Sequence, residues 1–315
     1  MRALQTGAPI GNSGARAPEF PVLRITNRHV SAQICLPDTE CGYYRGTRFD
    51  WSGIVRDLRS RGHRYVSEWQ SRHDPLRHDG LTGPADEFTQ IGYEQARPGE
   101  EFLKIGVGTL RKPFDQPYDR FRLYEIVDPG IRDLIAGRDR IEFRHRMLND
   151  DYGYDYRKTL VLTDAPGLRL EYTLKNLGPA PLTGYVYNHN FFTLDRMATG
   201  PDTSIHFPFE PEGTWREAYD SVALTPDGVA FSRNLRAGES VFMGDLHSQD
   251  AATREYGFSL RNLATGAGIQ ASGSGQLSHM VLWACPTVAC LEPYTTFRVF
   301  PGETGVWHID YELLA

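Results

Sequence analysis

The sequence predicts an all-β protein built as a large antiparallel β-sandwich. Strand-like runs, in which apolar and polar residues alternate with a period of two, recur along the whole 315-residue chain. Segments with the 3.6-residue period of an amphipathic helix are nearly absent. A sheet that is apolar on one face must cover that face with another layer, so this many strands favours two packed sheets.

The predicted strands follow one another with short connections. In chain order the runs are 22–27, 30–36, 120–128, 141–147, 156–164, 168–176, 183–194, 240–245, 256–262, 279–285, 295–300 and 306–313. Most are separated by Gly, Pro, Asp or Asn, which are typical of turns. No linker rich in Pro, Gly or Ser divides the chain. We therefore expect a loosely ordered segment over residues 1–19 and a single sandwich domain over residues 20–315.

An irregular stretch over residues 67–119 interrupts the strand pattern. Long surface segments of this kind often supply binding residues on a rigid scaffold. Three histidines lie in or near it, His63, His73 and His78. Metal binding by these histidines is a minor alternative.

Composition and charge exclude several classes of function. The chain is 40% hydrophobic and 12% aromatic, which is enough for a sizeable core. Its formal net charge is −6 and it has no long Lys/Arg run, so no nucleic-acid or anionic-membrane partner is expected. No apolar stretch reaches the length of a membrane span, and residues 1–19 lack the apolar segment of a secretory signal. We expect a soluble cytoplasmic protein, monomeric or homodimeric, with a small-molecule partner.

The four cysteines, Cys35, Cys41, Cys285 and Cys290, form two pairs whose spacing matches no usual zinc site. We interpret them as reduced thiols. A local Cys35 to Cys41 disulfide stays open as an alternative if the protein is exported.

The most informative stretch reads YNHNFFTLD, residues 187–195. An alternating strand here ends on Asn188, His189 and Asn190 and is followed by two phenylalanines. His189 is either a buried hydrogen-bonding group of the core or a proton donor at the mouth of a pocket. Alternation puts Asn188 on the face opposite to His189.

The run LRLEYTLKNLGPAPLTGYVYNHNFFTL resembles a signature of the aldose 1-epimerase (galactose mutarotase) family, in which two strands lead to an Asn-His-x-Tyr-Phe-Asn-Leu motif. Phe191 departs from the family tyrosine and Thr193 from its asparagine. A second segment, CLEPYTTFRVFPGETGVWHIDYEL, resembles the C-terminal pattern of the family. There Glu292 follows a strongly apolar run, and Pro301, Gly302 and Glu303 form the turn before the last strand.

The resemblance implies a galactose mutarotase-like supersandwich and an isomerase that interconverts the α and β anomers of a monosaccharide. It implies Glu292 as the base at the C1 hydroxyl and protonated His189 as the acid at the ring oxygen. Burial and neighbouring charge can tune both groups toward neutrality. No cofactor or metal is required.

Further candidates for substrate binding lie outside these two motifs. GYYRGTRFDWSGIV brings together Arg48, Asp50 and Trp51; an arginine can fork hydrogen bonds to hydroxyls or a carboxylate, and an aromatic face can pack on a sugar ring. An Arg48 to Asp50 surface pair with Trp51 in the core is an equal alternative. We expect truncation of Arg48 to weaken binding and leave stability nearly unchanged.

The region around GPADEFTQ departs from many relatives, which carry another histidine there. Glu87, Lys104 and His78 are candidates for the missing contacts, and Asn188 for a further one.

Two alternatives to an aldose 1-epimerase remain. One is another carbohydrate-active enzyme on the same scaffold, such as a hexose-6-phosphate epimerase, a lyase or a hydrolase. Clustered arginines would favour a phosphosugar, and a long open groove a polymer. The other is a non-catalytic sugar-binding protein, which needs aromatic and arginine contacts but no His189 and Glu292 pair.

Overall fold

The structure is a computed structural model that describes residues 20–250, 252 and 255–315. The prediction of loose order for residues 1–19 lies outside the described residues. Regular structure is almost entirely β, and a short 3-10 turn spans Leu194–Arg196. No helix in the described part of the chain is long and apolar enough to cross a membrane.

Twenty-three strands form in these residues, separated by turns and loops. In chain order they are β1 (Val22–Thr26), β2 (Val30–Cys35), β3 (Ile54–Ser60), β4 (His63–Val66), β5 (Ala85–Phe88), β6 (Glu101–Lys104), β7 (Gly108–Arg111), β8 (Ile126–Asp128), β9 (Ile131–Ala136), β10 (Arg140–Leu148), β11 (Gly153–Leu162), β12 (Gly167–Asn176), β13 (Leu182–His189), β14 (Thr203–His206), β15 (Pro211–Trp215), β16 (Val222–Thr225), β17 (Gly228–Phe231), β18 (Val241–Ser248), β19 (Tyr256–Asn262), β20 (Gly268–Gly273), β21 (Leu277–Cys285), β22 (Val288–Val299) and β23 (Thr304–Leu314).

The strands form four sheets, and every strand pair in the described chain is antiparallel. The largest sheet has ten strands in the order β16-β17-β14-β19-β20-β23-β12-β11-β10-β9. The second has six, in the order β15-β18-β21-β22-β13-β5. Two small sheets, β1-β2-β3-β4 and β6-β7-β8, complete the fold. The all-β sandwich class predicted from the alternation is confirmed.

The main apolar core lies between the ten-stranded and six-stranded sheets. Phe88 of β5 contacts Tyr156 of β11 with ring centroids 5.4 Å apart, and Phe192 contacts Tyr311 of β23 at 5.6 Å. Successive side chains of a strand point to opposite faces, so alternate residues of β12 and β22 enter this core.

The other face of the six-stranded sheet carries a second apolar cluster. Tyr187 of β13, Val281 of β21 and Tyr294 of β22 belong to it, together with Phe49 and Phe191 from connecting segments. Both faces of these central strands are therefore buried, and the second face forms the floor of the cavity described below.

Several elements differ from the prediction, and eight strands were not among the predicted runs: β3, β4, β9, β14, β15, β16, β17 and β20. The strand expected over residues 120–128 is reduced to Ile126–Asp128, and Arg120 lies in the loop that precedes it. The stretch 67–119, predicted to be irregular, contains the three strands β5, β6 and β7. Each of these has only four residues, too few for an alternating pattern to stand out.

A buried polar group links the two main sheets. Lys158 of β11 lies 2.6 Å from the Asp86 carboxylate of β5, and both side chains are at most 1% exposed. Tyr172 Oη donates a hydrogen bond to Asp86 at 3.0 Å, and Asn188 donates another. A charge taken this far out of water is tolerated only when it is paired and hydrogen-bonded.

We predict that Lys158→Met lowers the free energy of unfolding by about 3–5 kcal/mol, because it leaves the Asp86 carboxylate buried without its cation. Urea denaturation followed by tryptophan fluorescence measures this. The control is Arg169→Met, which breaks an ion pair with Asp310 whose side chains are 41% and 31% exposed. The control loss is expected to stay below about 1 kcal/mol. Equal losses in the two variants would contradict the role given to the buried pair.

Candidate active site

The register of four neighbouring strands brings His189 and Glu292 together. In the β13–β22 pair Tyr187 lies opposite Tyr294, and continuing that register by two residues places His189 opposite Glu292. On the far side, Val281 of β21 is the partner of Glu292. Because strand side chains alternate with a period of two, the tyrosine pair and the His189–Glu292 pair form two adjacent rows on one face of the sheet.

The two predicted catalytic side chains are in direct contact. His189 Nε2 lies 3.2 Å from Glu292 Oε1, and the side chains are 7% and 5% exposed. His189 Nδ1 is buried and has no hydrogen-bond partner in the part of the chain that the structure describes. The imidazole tautomer is therefore not fixed by a second protein group.

Aromatic rings enclose the imidazole of His189. Phe191 stacks on it with centroids 3.8 Å apart and an interplanar angle of 4°. Phe49 and Trp283 approach edge-on at 5.7 and 5.9 Å. Phe191 thus forms an apolar wall beside the imidazole. Phe192, the next residue, faces the main core because it points to the opposite side of the chain.

This environment shifts the proton affinities of both groups. Burial lowers the pKa of His189 well below its usual range, and the positive charges of Arg48 and Arg120 lower it further. Burial raises the pKa of Glu292 to about 8, and the same two arginines only partly oppose that rise. Both shifts favour the uncharged forms, a protonated Glu292 carboxyl and a neutral His189 imidazole.

A second polar group surrounds Glu87 of β5, which is the register partner of Tyr187. Arg48 Nε lies 2.6 Å from Glu87 Oε2, and Lys104 Nζ lies 3.3 Å from Oε1. Arg120 approaches the same carboxylate at 3.8 Å and donates hydrogen bonds at 3.3 Å to the hydroxyls of Tyr187 and Tyr294. One carboxylate thus holds three cations.

The ionised groups of this cluster shift one another's pKa values. Burial alone would raise the pKa of Glu87, but the three surrounding cations outweigh it and hold the pKa well below its ordinary value. Burial lowers the pKa of Lys104 to about 8 against the opposing effect of Glu87. Glu87 is therefore ionised at neutral pH and fixes the two arginines beside the His189–Glu292 row.

His189 and Glu292, together with Tyr294 of the adjacent row, form the floor of a cavity of about 210 Å³. Its lining combines the His189–Glu292 pair with arginines, aromatic rings and two polar residues of the 67–119 segment: Arg48, His78, Asp79, Arg120, Phe121, His189, Phe191, Arg216, Phe242, Val281, Trp283, Glu292 and Tyr294. The mixture of apolar walls with a few convergent polar groups is typical of a small-molecule site.

Several residues predicted to bind substrate lie elsewhere. Glu87 and Lys104 sit beneath the cavity and hold Arg48 and Arg120 instead of lining it. Asn188 points into the main core, where it donates to Asp86 and accepts from Tyr256 Oη at 3.0 Å. Strand alternation explains its position, since its neighbour His189 occupies the cavity face.

Asp50 and Trp51 are also buried away from the cavity lining. Asp50 accepts hydrogen bonds from Tyr156 Oη at 3.0 Å and from the Ser52 amide at 2.8 Å, and burial raises its pKa to about 6. Trp51 Nε1 donates to the Gly46 carbonyl at 2.8 Å. The core alternative for Trp51 is the one that the structure adopts, and no Arg48 to Asp50 surface pair forms.

Arg48 lines the cavity, and its burial changes the expected effect of removing it. The residue is 7% exposed, and besides Glu87 it donates to Tyr187 Oη at 2.8 Å. Truncation would remove one of the cations around a buried carboxylate, which is destabilising. Loss of stability therefore accompanies any loss of binding, contrary to the sequence-based expectation.

Sequence reasoning missed Arg120, Arg216, Trp283 and Tyr294. Tyr294 could have been found, because it lies two residues from Glu292 on the same strand and so shares its face. Arg120 and Arg216 reach the cavity from segments between strands, where apolar and polar residues do not alternate regularly.

The histidines considered for metal binding do not converge. His63 contacts Asp195 at 2.8 Å, His73 contacts the Tyr43 carbonyl at 2.7 Å, and His78 lines the cavity. Within the described ranges no cluster of three or more His, Cys, Asp or Glu has the arrangement of a metal site. All four cysteines are free thiols.

Comparison with solved structures identifies the fold. A galactose mutarotase-like protein from Clostridium acetobutylicum matches over 94% of this chain and 95% of its own, with a TM-score of 0.56 and 13% identity. A protein from Escherichia coli K12, provisionally named an aldose 1-epimerase, matches over 94% and 99%, with a TM-score of 0.56 and 10% identity. A galactose mutarotase-like protein from Lactobacillus casei matches over 93% and 100%, at 0.54 and 14%.

No family model matches the sequence, and no curated protein matches it. At 10–14% identity, the structural matches show the fold alone. The chain therefore has the galactose mutarotase-like fold, and the role of its cavity must be argued from the residues that line it.

Proposed function

We propose that the protein is an aldose 1-epimerase-like enzyme that interconverts the anomers of a monosaccharide or derivative. The observation that carries this proposal is the buried contact of 3.2 Å between His189 Nε2 and Glu292 Oε1 in the floor of a sugar-sized cavity. The names of the structural neighbours agree with it.

Anomer interconversion needs two simultaneous proton transfers. The bond between C1 and the ring oxygen breaks as one group removes the proton of the C1 hydroxyl and another protonates the ring oxygen. After rotation about the bond between C1 and C2, the ring closes on the other face and the protons return. The two oxygens are bonded to the same carbon, so two adjacent acid–base groups can serve both.

The buried environment supports a specific order of events. Protonated Glu292 donates its proton to the ring oxygen while neutral His189 accepts the proton of the C1 hydroxyl. This is the reverse of the roles inferred from the sequence resemblance. Ring opening leaves a carboxylate beside an imidazolium, whose attraction is strong in a site of low dielectric. Ring closure restores the neutral pair, so the cycle consumes no cofactor.

The enclosing groups would position the sugar. Trp283 and Phe121 offer apolar faces to the C–H surface of a pyranose ring, as aromatic residues commonly do for amphipathic ligands. Arg48 and Arg120, held in place by Glu87, would donate hydrogen bonds to hydroxyl groups near the reacting carbon.

A non-catalytic sugar-binding protein is the second candidate, supported by the same arginines and aromatic rings. It has no need of two buried titratable groups in contact, each with a pKa that burial shifts. Proximity of such a pair is typical of acid–base catalysis, so the enzyme is the better supported function.

We predict that His189→Asn and Glu292→Gln each slow anomer interconversion by roughly 10²-fold or more, the contribution of a positioned acid or base. The double variant is expected to lose far less than the product of the two single losses, because the groups act in one step. Exchange NMR on a panel of aldoses and their 6-phosphates measures the rates, and calorimetry measures sugar binding.

Tyr152→Phe, which removes a hydroxyl outside the cavity lining, is the control and should turn over normally. A wild-type protein that binds sugars but accelerates none of them would favour the binding-protein candidate. A normal rate for Glu292→Gln alone would show that Glu292 is misassigned.

We predict that kcat/KM falls above a pH of about 8, as Glu292, whose pKa burial raises, loses the proton that it must donate. At acid pH the rate falls only well below pH 6.5, because burial lowers the pKa of His189. A fall beginning near pH 6.5 on the alkaline side would instead identify an ordinary imidazolium as the acid and refute this order of proton transfer. His78→Asn, which changes another histidine of the lining, should leave the position of the alkaline limb unchanged.

A further inference from the structure

The cavity carries more positive charge than a neutral sugar requires. Three arginines line it, Arg48, Arg120 and Arg216. The Glu87 carboxylate beneath them is already shared with Lys104, and the Asp79 carboxylate at the rim lies 2.7 Å from Arg77. The lining therefore retains a net positive charge.

Arg216 is the arginine whose charge is least compensated. It follows the last residue of β15, is exposed, and places its guanidinium carbon 3.9 Å from the ring centroid of Phe242. It forms no ion pair with any residue in the described ranges. Stacking holds the planar group in position while leaving its donors open to the cavity.

The sheet register gives the position of Arg216 relative to the reacting pair. Phe242 of β18 lies opposite Trp283 of β21, which in turn lies opposite Cys290 of β22. Phe242 is thus two strands and one row from Glu292, which corresponds to about 12 Å between Cα atoms at ordinary sheet spacings. The side chains reach inward from both ends of this span, so one monosaccharide with an exocyclic group can bridge it.

Resting on the proposed epimerase function, we propose that the substrate is an anionic monosaccharide whose phosphate or carboxylate, at the carbon farthest from C1, binds Arg216. Arg216 is then a residue that determines specificity, remote from the proton transfers. Its guanidinium can form two parallel hydrogen bonds to either kind of oxyanion, a geometry that a neutral hydroxyl cannot match.

The test compares kcat/KM for anomer interconversion of glucose, galactose, glucose 6-phosphate and glucuronate by exchange NMR. The wild-type enzyme is expected to prefer an anionic sugar to its neutral counterpart by about 10-fold or more, as charge-assisted hydrogen bonds imply. Arg216→Gln should reduce that preference by about 10-fold, mainly through KM. Whether glucose 6-phosphate or glucuronate is preferred identifies the anion.

Arg298→Gln is the matched control, because Arg298 is also an exposed arginine stacked on a phenylalanine, Phe300, but does not line the cavity. It should keep the wild-type preference. Equal kcat/KM for neutral and anionic sugars, or a preference that survives Arg216→Gln, would overturn the proposal.

Calorimetry with glucose 6-phosphate and glucuronate distinguishes a failure of the epimerase function from a failure of the anion site. If neither is interconverted but one binds and Arg216→Gln weakens that binding, the epimerase function fails and the anion site stands. If neutral sugars are interconverted and neither anion binds more tightly than glucose, the epimerase function stands and the anion site fails.

Discussion

The strand register across β5, β13, β22 and β21 is the constraint on which the site depends. It sets Tyr187 beside Tyr294 and His189 beside Glu292 in adjacent rows. Because side chains alternate along a strand, a slip of one residue between β13 and β22 would move one partner to the opposite face. Burial of both faces makes such a slip costly, so packing of the two apolar clusters also fixes the acid–base pair.

The two faces of the six-stranded sheet carry charge in different ways. On the inner face the Asp86–Lys158 pair is closed by hydrogen bonds and has no access to ligand. On the outer face Glu87 pairs with Arg48, and the arginines that line the cavity leave it a net positive charge. The first arrangement anchors β5 and β13, and the second leaves donors available for a substrate. Both depend on exclusion of water, which strengthens each electrostatic interaction.

Much of the fold and the centre of the site could be predicted from the sequence. Alternation predicts the long strands, and His189 and Glu292 each end an apolar run in a motif with a recognisable family resemblance. Alternation also predicts that Asn188 faces away from His189. The four-residue strands were missed because they are too short for periodicity to show. The longer strands β3 and β9 were also missed, because their residues do not alternate strictly between apolar and polar. Arg120 and Arg216 were missed because their approach to the cavity depends on tertiary packing of connections, which no local pattern encodes.

The central claim is that His189 and Glu292 act together on the anomeric carbon of one sugar. A crystal structure with a bound pyranose tests it most directly. The account predicts the C1 hydroxyl within hydrogen-bond distance of His189 and the ring oxygen within that distance of Glu292. A sugar bound in the cavity with C1 directed away from both side chains, in a crystal that retains the 3.2 Å contact between them, would contradict it.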